Sequence, residues 1–375
     1  MSLSSLGSAA SAGSAALSRS RSLPAAAAGL AIGWLAFCLL VWLYGASPRA
    51  MASLVFDGTW GTSYGAGQVL FKATPLLFTG IAVDFALRAG LFNIGAEGQL
   101  AVGSLAAGVV GAHLPAGTPA LVALPLALAG AMGAGALWAL VPALLKGRYG
   151  AHEVISTIMM NRIADSAVGL ALGAGGLALT GTVRTADVVP GARIPRLESV
   201  FGSLKGSAAS FALLFGIAGT LLVTASYRRT RFGREIGLIG QNARAMEAEK
   251  VPVRARIEQA LVVSGAIAGA ASFGTVLGYK GYFEEGLGAG AGFGGLAVAI
   301  LGRGSAVGLV FAALLFGTLQ QGGLAVNAFV PKELMDVLTG VVVCAVALAD
   351  EAIGGRSSAP PSSGSSTPAA KAAAS

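Results

Sequence analysis

The residues of this sequence that could do chemistry are few, and the most unusual group lies in residues 87–103, LRAGLFNIGAEGQLAVG. Asn93, Glu97 and Gln99 stand there among apolar residues and glycines. On a helix, Asn93 and Glu97 share one face because they are four residues apart. A carboxylate beside an amide suits a wet cavity wall that hydrogen-bonds a polar solute, and it equally suits a polar clamp between helices. The glycines allow the helix to break and expose backbone groups.

A second polar group lies in residues 151–166, AHEVISTIMMNRIADS. Glu153, Thr157, Asn161 and Asp165 recur at four-residue steps and form a stripe on one helix face. A polar stripe on an otherwise apolar helix is expected to face inward. Two functions remain open for it: lining of a pathway, and structural hydrogen bonding.

Other charged residues within apolar segments are interpreted as structural. Arg162 and Asp165 are three residues apart, and Asp84 and Arg88 are four apart, so each pair can interact on one helix face. Lys72 also lies within a predicted span. A charge at a helix centre costs about 2.5–3.5 kcal/mol if it faces lipid, so these side chains are expected to face protein or water.

Motifs for enzyme chemistry are missing from the sequence. No Gly-Lys dipeptide occurs, so there is no phosphate-binding loop and no ATP hydrolysis is expected in this chain. The two cysteines, Cys38 and Cys344, form no CxxC motif, and there are only two histidines. We therefore expect no metal site, no catalytic residues and no cofactor bound by the chain itself.

Composition indicates an all-α polytopic membrane protein. Of the residues, 55% are hydrophobic and 11% charged, with a mean hydropathy of +0.75. An apolar helix of about 20 residues crosses the hydrocarbon core of a bilayer. We predict about ten spans within a permease domain at 25–352, between disordered cytoplasmic tails at 1–24 and 353–375. The predicted segments are 25–46, 69–87, 91–112, 120–145, 153–180, 208–227, 257–279, 287–302, 305–325 and 334–351, of which 287–302 is short enough to re-enter or break.

The distribution of basic residues predicts the orientation. With the N-terminus inside, sixteen of the 25 lysines and arginines lie on the cytoplasmic side and seven outside. Both termini are then cytoplasmic, and the segment 181–206 is external. The net charge of +8 reflects this topology, so nucleic acid is not expected as a partner.

Small residues spaced four apart, as in Gly103–Ala107–Gly111, predict close helix packing, although chance explains any single case. The segment 98–105, GQLAVGSL, also resembles 294–301, GGLAVAIL, and the predicted topology runs these two segments in opposite directions. This similarity predicts an inverted repeat.

The longest predicted cytoplasmic loop is 228–256. Asn242 is the expected N-cap of a short helix there. The basic residues on both sides of that helix suit anionic membrane lipids, and the helix also suits docking to a cytoplasmic partner.

Three segments resemble the permease subunits of bacterial ABC importers, in the branched-chain amino acid/simple-sugar permease family and its nucleoside/simple-sugar branch. They are AGLFNIGAEGQL at 89–100, HEVISTIMMNRIA at 152–164 and GYFEEGLGAGAGFGGLAVAILGR at 281–303. The resemblance implies a multi-pass protein of the bacterial cytoplasmic (inner) membrane. It also implies three partners: a homologous second permease, a cytoplasmic ABC ATPase that binds ATP and Mg, and an extracellular solute-binding protein.

The resemblance also implies roles for particular residues. The residues that it places on the substrate pathway are Phe92, Asn93, Glu97, Gln99, Thr157, Asn161 and Phe293. Those that it places in ATPase coupling are Gly240, Asn242, Ala243, Arg244 and Ala245. Lys250 stands where the family usually has glycine, and Gly294 where aspartate is common.

The resulting hypothesis is that the chain forms the path for nucleosides or related simple sugars and is not itself an enzyme. Two alternatives remain: an ABC permease for another small solute, such as branched-chain amino acids, and a non-ABC secondary transporter or channel. Association with an ATPase would separate the first two hypotheses from the third.

Overall fold

The structure is a computed structural model that describes residues 27–29, 31–331 and 333–354. The predicted tails lie outside these residues, except that 353 and 354 end the last helix. The chain divides into two units. One contains the described residues up to Ala36 and from Gly340 onward, and the other, Phe37–Thr339, contains nearly all the elements described below.

The described residues fold almost entirely into helices, and in this part of the chain β-structure is limited to isolated bridges. The helices are α1 (Ala27–Leu43), α2 (Pro48–Gly58), α3 (Ser63–Arg88), α4 (Ala96–His113), α5 (Ala120–Tyr149), α6 (Glu153–Leu172), α7 (Ala212–Arg229), α8 (Arg231–Gln241), α9 (Ala243–Ala248), α10 (Val253–Gly269), α11 (Ala291–Gly302), α12 (Ala306–Val326) and α13 (Glu333–Gly354). A π-helical segment, Phe273–Lys280, follows α10.

Local sequence explains where several helices begin and end. Thr62, Thr230 and Ser305 cap α3, α8 and α12 by accepting a backbone N–H in the first turn with their side chains. Gly150 ends α5 in the left-handed conformation, which glycine adopts without a steric penalty. Pro48 begins α2 at a position where its missing N–H costs nothing.

Four helices of the described residues are long and apolar enough to cross a membrane: Ser63–Arg88, Ala120–Tyr149, Val253–Lys280 and Ala306–Val326. A fifth span results if α1 and α2 count as one broken span. Each of the ten predicted segments overlaps a helix. The chain is thus an all-helical protein with several membrane-crossing helices, and the number ten stays a prediction.

The third and eighth predicted segments depart from a continuous helix. Residues 89–95 precede α4 and residues 281–290 precede α11 without helical structure. Gly90, Gly286, Gly288 and Gly290 have positive φ, which glycine tolerates and other residues avoid. The prediction of a helix from residue 91 is therefore wrong at its start, because the glycines allow the backbone to turn before Ala96.

Glycines bring α4, α5 and α10 into close contact. A Cβ added to Gly103 of α4 would lie 2.6 Å from the Gly269 Cα of α10, and one added to Gly135 of α5 would lie 3.1 Å from the same atom. Only glycine allows the backbones to approach this closely. Gly103 belongs to the predicted small-residue motif, so the structure confirms the packing role at this position.

Candidate functional site at two helix N-termini

The N-terminal ends of α4 and α11 meet at Glu97. Glu97 lies in the first turn of α4, and its carboxylate accepts hydrogen bonds from α11. Oε1 accepts from the Gly290 amide at 2.6 Å, and Oε2 accepts from the Gly292 amide at 2.7 Å. Gly290 is the N-cap of α11, so these amides have no partner within their own helix. The carboxylate supplies that partner.

From this contact the two helices run in opposite directions. Toward its C-terminal end, α4 reaches the segment 181–206, where the Gly111 carbonyl accepts a hydrogen bond from the Val189 amide. Beyond its own C-terminal end, α11 reaches Arg88, whose guanidinium donates to the Gly304 carbonyl. Each helix is preceded by a non-helical stretch, residues 89–95 before α4 and 281–290 before α11. Whether 287–302 crosses the membrane or re-enters stays open.

We call residues 89–95 the non-helical half before α4. Buried amide side chains provide hydrogen-bond partners for it. The Asn93 side chain donates to Gln99 Oε1 at 2.9 Å and to Ser264 Oγ at 2.7 Å, and its oxygen accepts from the Gly95 amide at 3.1 Å. Ser264 in turn donates to the Ala82 carbonyl at 2.6 Å. Asn93 and Ser264 are fully buried. Polar groups removed from water in this way require such partners.

One residue of the stripe on α6, Asn161, joins the same network, whereas Asp165 is exposed and so departs from the expected inward-facing stripe. Asn161 donates to the Ile94 carbonyl at 2.9 Å and accepts from the Gly98 amide at 2.9 Å. Thr157 is fully buried and donates to the Glu153 carbonyl at 2.7 Å. The N-cap of α4 is Gly95, which has no side chain to offer, so Asn161 provides the cap from another helix.

The predicted pathway residues therefore separate into two groups. Four of them, Asn93, Gln99, Thr157 and Asn161, are buried. Phe92 and Phe293 are 46% and 50% exposed, and Glu97 is half-buried. Asn93 does not share a helix face with Glu97, because α4 begins after it. The pathway role of all seven residues stays a prediction.

The predicted ion pairs form, in two different settings. Asp84 and Arg88 lie 3.1 Å apart, with the Asp84 side chain only 6% exposed. Arg162 and Asp165 lie 3.7 Å apart, with side chains 81% and 58% exposed. Their helix packs next to Glu97, since a Cβ added to Gly98 would lie 2.9 Å from the Ala164 Cβ.

We name the residues Phe92, Glu97, Arg162, Asp165 and Phe293 the polar wall; four of them are exposed and Glu97 is half-buried. Non-helical backbone and exposed charges at membrane depth occur where they line a water-filled cavity or contact protein, not where they face lipid. No cluster of metal-ligating side chains occurs in the described part of the chain. The wall can therefore offer hydrogen bonds, charge and aromatic faces.

Comparison with known proteins identifies the family. Residues 65–347 match the model of the branched-chain amino acid transport system / permease component family. The chain belongs to this permease family. It is a multi-pass protein of the inner membrane, as the family and its apolar helices require.

Relatives with assigned names resemble the permease along most of its length. It is 35% identical over 321 residues to a guanosine ABC transporter permease protein of Bacillus subtilis, and the alignment covers 84% of this chain and 90% of the relative. It is 30% identical over 328 residues to a glucose ABC transporter permease protein of Haloferax volcanii (84% and 83%). It is 28% identical over 327 residues to a nucleoside ABC transporter permease protein of Lactococcus lactis (85% and 89%). No solved structure gives a significant match.

The predicted coupling segment of the permease forms two short helices, α8 and α9. The Asn242 side chain accepts from the Ala245 amide at 3.1 Å, which confirms Asn242 as the N-cap of α9. Asn242, Arg244 and Ala245 are exposed, and Ala243 is half-buried. The coupling role of these residues stays a prediction.

Gly240 connects this segment to the non-helical half before α4. A Cβ added to Gly240 would lie 3.0 Å from the Gly90 nitrogen and 2.9 Å from the Arg88 carbonyl carbon. Any side chain at position 240 would push α8 away from that backbone. The segment that contains α8 and α9 therefore lies on the same face as Arg88 and Gly304.

The departures from the family pattern have structural counterparts. Lys250 follows α9 with φ of 59°, the left-handed region in which glycine carries no penalty. A Cβ added to Gly294 would overlap the Leu76 side chain, so the aspartate common in the family would require Leu76 to move.

Sequence reasoning missed two groups of residues. Ser264, Gly290 and Gly292 complete the contacts of Asn93 and Glu97, and a lone serine in the apolar sequence of α10 was the available signal.

The second group is centred on Glu235, which accepts hydrogen bonds from Arg231 at 2.7 Å and Arg256 at 2.6 Å. The hydrogen bond from Arg231 contributes most to holding the pKa of Glu235 below its ordinary value. The four-residue spacing of Arg231 and Glu235 was visible in the sequence.

Proposed function

We propose that this chain is a permease subunit of an ABC importer for nucleosides. The observation that carries the proposal is its 35% identity to the guanosine permease protein over 90% of that relative. The nucleoside permease protein of Lactococcus lactis supports the same solute class. The chain is then a transport component, and ATP and Mg bind to a partner ATPase.

Within this proposal, the polar wall faces the solute path. Phe92 and Phe293 contact the path directly and Glu97 borders it, while Asn93, Gln99, Thr157 and Asn161 hold the non-helical half before α4 in shape. The support is exposure: the first three residues are accessible in this chain and the other four are buried. Aromatic faces bind nucleobases by stacking, worth about 1–3 kcal/mol per base.

A neutral solute fits the electrostatics of the wall. Helix N-termini attract anions, and two of them converge here. Glu97 already occupies the α11 N-terminus with its own negative charge. A solute carboxylate or phosphate would compete with that charge, whereas the hydroxyl groups of a nucleoside would not. The charge at this site therefore favours nucleosides over branched-chain amino acids.

We further propose ten spans, an inverted repeat that relates α4 to α11, and both termini in the cytoplasm. The support for the repeat is that both helices follow non-helical halves and run in opposite directions. The face with Arg88, α8 and α9 is then cytoplasmic and contacts the ATPase. A second, homologous permease covers the polar wall, because exposed charges such as Arg162 and Asp165 are costly against lipid. An extracellular solute-binding protein delivers the solute.

Uptake into proteoliposomes tests the proposal. The complete importer, with both permeases, the ATPase and the binding protein, is supplied with labelled guanosine, cytidine, glucose or leucine, with ATP inside or outside the vesicle as the orientation requires. We expect ATP-dependent uptake of nucleosides. Uptake of leucine or glucose alone would replace nucleosides with another solute class, and uptake without ATP or an ATPase would exclude an ABC importer.

The second candidate solute is a simple sugar. The observation that favours it is the 30% identity to the glucose permease protein of Haloferax volcanii. Competition separates the two candidates: excess unlabelled glucose should leave guanosine uptake unchanged if the path is specific for nucleosides.

A further inference from the structure

We infer that Glu97 is a positioning residue, whose carboxylate joins the half-helices α4 and α11 during transport, and that the solute passes without bonding to it. We call the contact of Glu97 with Gly290 and Gly292 the joint. The inference rests on the proposed function, since it assigns the joint a part in the transport of a neutral solute. It differs from a simple pathway-lining role, in which Glu97 would hydrogen-bond the solute directly.

Both carboxylate oxygens of Glu97 accept hydrogen bonds from within the chain. Oε1 accepts from Gly290 at 2.6 Å, and Oε2 accepts from Gly292 at 2.7 Å. Hydrogen bonds from amides to a carboxylate are charge-assisted and roughly twice as strong as neutral ones. The negative charge also lies in the first turn of α4 and at the N-terminus of α11, where both helix dipoles stabilise it.

The backbone of α11 is shaped to fit the carboxylate. A Cβ added to Gly292 would overlap the Glu97 backbone, so only glycine allows this approach. The preceding turn passes through Gly288 and Gly290 with φ of 85° and 84°. The helix itself has only 12 residues. A short helix after a glycine-rich turn needs an external contact to fix its position, and Glu97 provides one.

The joint also connects the face that carries Arg88 to the polar wall. On that face, Gly240 of α8 packs against the backbone of Arg88 and Gly90, which lead into the non-helical half before α4. At the other end of the connection, Gly292 is bonded to Glu97 and lies next to Phe293. Contacts therefore run from α8 through the backbone before α4 and through Glu97 to α11 and Phe293.

Amide hydrogen exchange in the purified permease tests the joint without any solute. In Glu97→Gln, the peptide that contains residues 286–293 should exchange about tenfold faster, the change expected when a hydrogen bond to a charged group is lost. Gly292→Ala should accelerate exchange in the same peptide, because the methyl group separates the helices without a change in charge. Unchanged exchange in both variants would show that the joint does not exist.

Two matched variants serve as controls. Glu198→Gln removes a carboxylate that accepts a backbone amide elsewhere, from Gly206 at 2.8 Å. Gly133→Ala adds a methyl group to a helical glycine with no atom within 4 Å of the added Cβ. Neither control should change exchange in residues 286–293, and a change in either would mean that the effect is not specific to the joint.

Uptake by the complete importer then tests the positioning role. In Glu97→Gln, the maximal rate per folded complex should fall by a similar factor for guanosine, cytidine and 2′-deoxycytidine, with unchanged half-saturating concentrations. A loss that differs between these nucleosides would mean that Glu97 bonds the solute, which would overturn the inference. Faster exchange with a normal uptake rate would also overturn it, since the joint would then be structural only.

These measurements separate the inference from the proposed function. If the wild-type importer carries no nucleoside, the proposed function fails. The exchange measurement still decides whether the joint exists, and the maximal rate for the solute that the importer does carry decides its role.

Discussion

The side-chain oxygen of Asn161 accepts a hydrogen bond from the Gly98 amide at 2.9 Å, so α6 supplies the N-terminal cap that α4 lacks. This contact is one of several that satisfy backbone groups freed by the break before α4. The hydrocarbon core of a membrane has no water that could hydrogen-bond such groups, so each group left unpaired destabilises the fold. The break is therefore possible only because polar side chains from other helices surround it.

Replacement of Asn161 by alanine should destabilise the permease. The variant leaves the Gly98 amide and the Ile94 carbonyl without their partner, at a cost of about 1–3 kcal/mol for a buried polar group. The midpoint of thermal unfolding in detergent measures the effect. Ser166→Ala on the exposed side of the same helix is the control and should change the midpoint little. Equal midpoints for the two variants would contradict the capping role.

Replacement of Gly269 by valine should prevent close packing of α4, α5 and α10. The added side chain would meet the Ala131 backbone of α5, and overpacking of this kind costs about 1–3 kcal/mol. The yield of monodisperse protein and its unfolding midpoint should both fall. Gly133→Val on α5 is the matched control, because its added Cβ meets open space. If both variants behave alike, the contact does not limit stability.

Removal of the cap on α9 should weaken coupling to the ATPase. Asn242→Ala deletes the acceptor for the Ala245 amide, which costs about 1 kcal/mol of helix stability. We expect weaker binding of the ATPase and slower nucleoside uptake, while the membrane helices stay folded. Asn242→Asp keeps a capping oxygen and should retain both ATPase binding and nucleoside uptake. Normal uptake by Asn242→Ala would show that this cap is not needed for coupling.

The ion pairs of Glu235 should make the stability of the permease sensitive to acid. Hydrogen bonds from Arg231 and then Arg256 hold the pKa of Glu235 below its ordinary value of 4.5, against the opposing effect of burial. A carboxylate whose pKa is lowered by folding stabilises the fold at pH values above its unfolded pKa. That contribution is lost as the pH falls through the folded value, so the loss begins below about pH 5.

The unfolding midpoint measured against pH checks this prediction. The midpoint of the wild-type permease should fall more steeply below pH 4.5 than that of Glu235→Gln, which has no charge to lose. Glu235→Gln should also be less stable than the wild type near neutral pH, where the ion pairs are intact. Parallel curves for the two proteins would mean that Glu235 does not cause the acid sensitivity.

Part of the architecture could be predicted because a helix that crosses a membrane requires a long apolar segment, which is visible in the sequence. Long apolar runs, such as the one that becomes Ser63–Arg88, identify helices without any knowledge of their neighbours. The i,i+4 pair of Asp84 and Arg88 and the cap at Asn242 were also predictable, because each depends on residues within one helical turn. Gly103 revealed a close helix contact through its spacing, but not which helix it contacts.

Composition and local residue pattern indicated the membrane class, the helical segments and the candidate residues around Glu97. The contacts of Asn93 with Ser264, and of Glu97 with Gly290 and Gly292, could be recognised only in the folded chain. These partners are far apart in the sequence. Glu97 lies 193 residues from Gly290, and Asn93 lies 171 from Ser264. Local periodicity shows that a polar side chain in an apolar segment needs a partner, whereas the partner's identity depends on how distant helices pack.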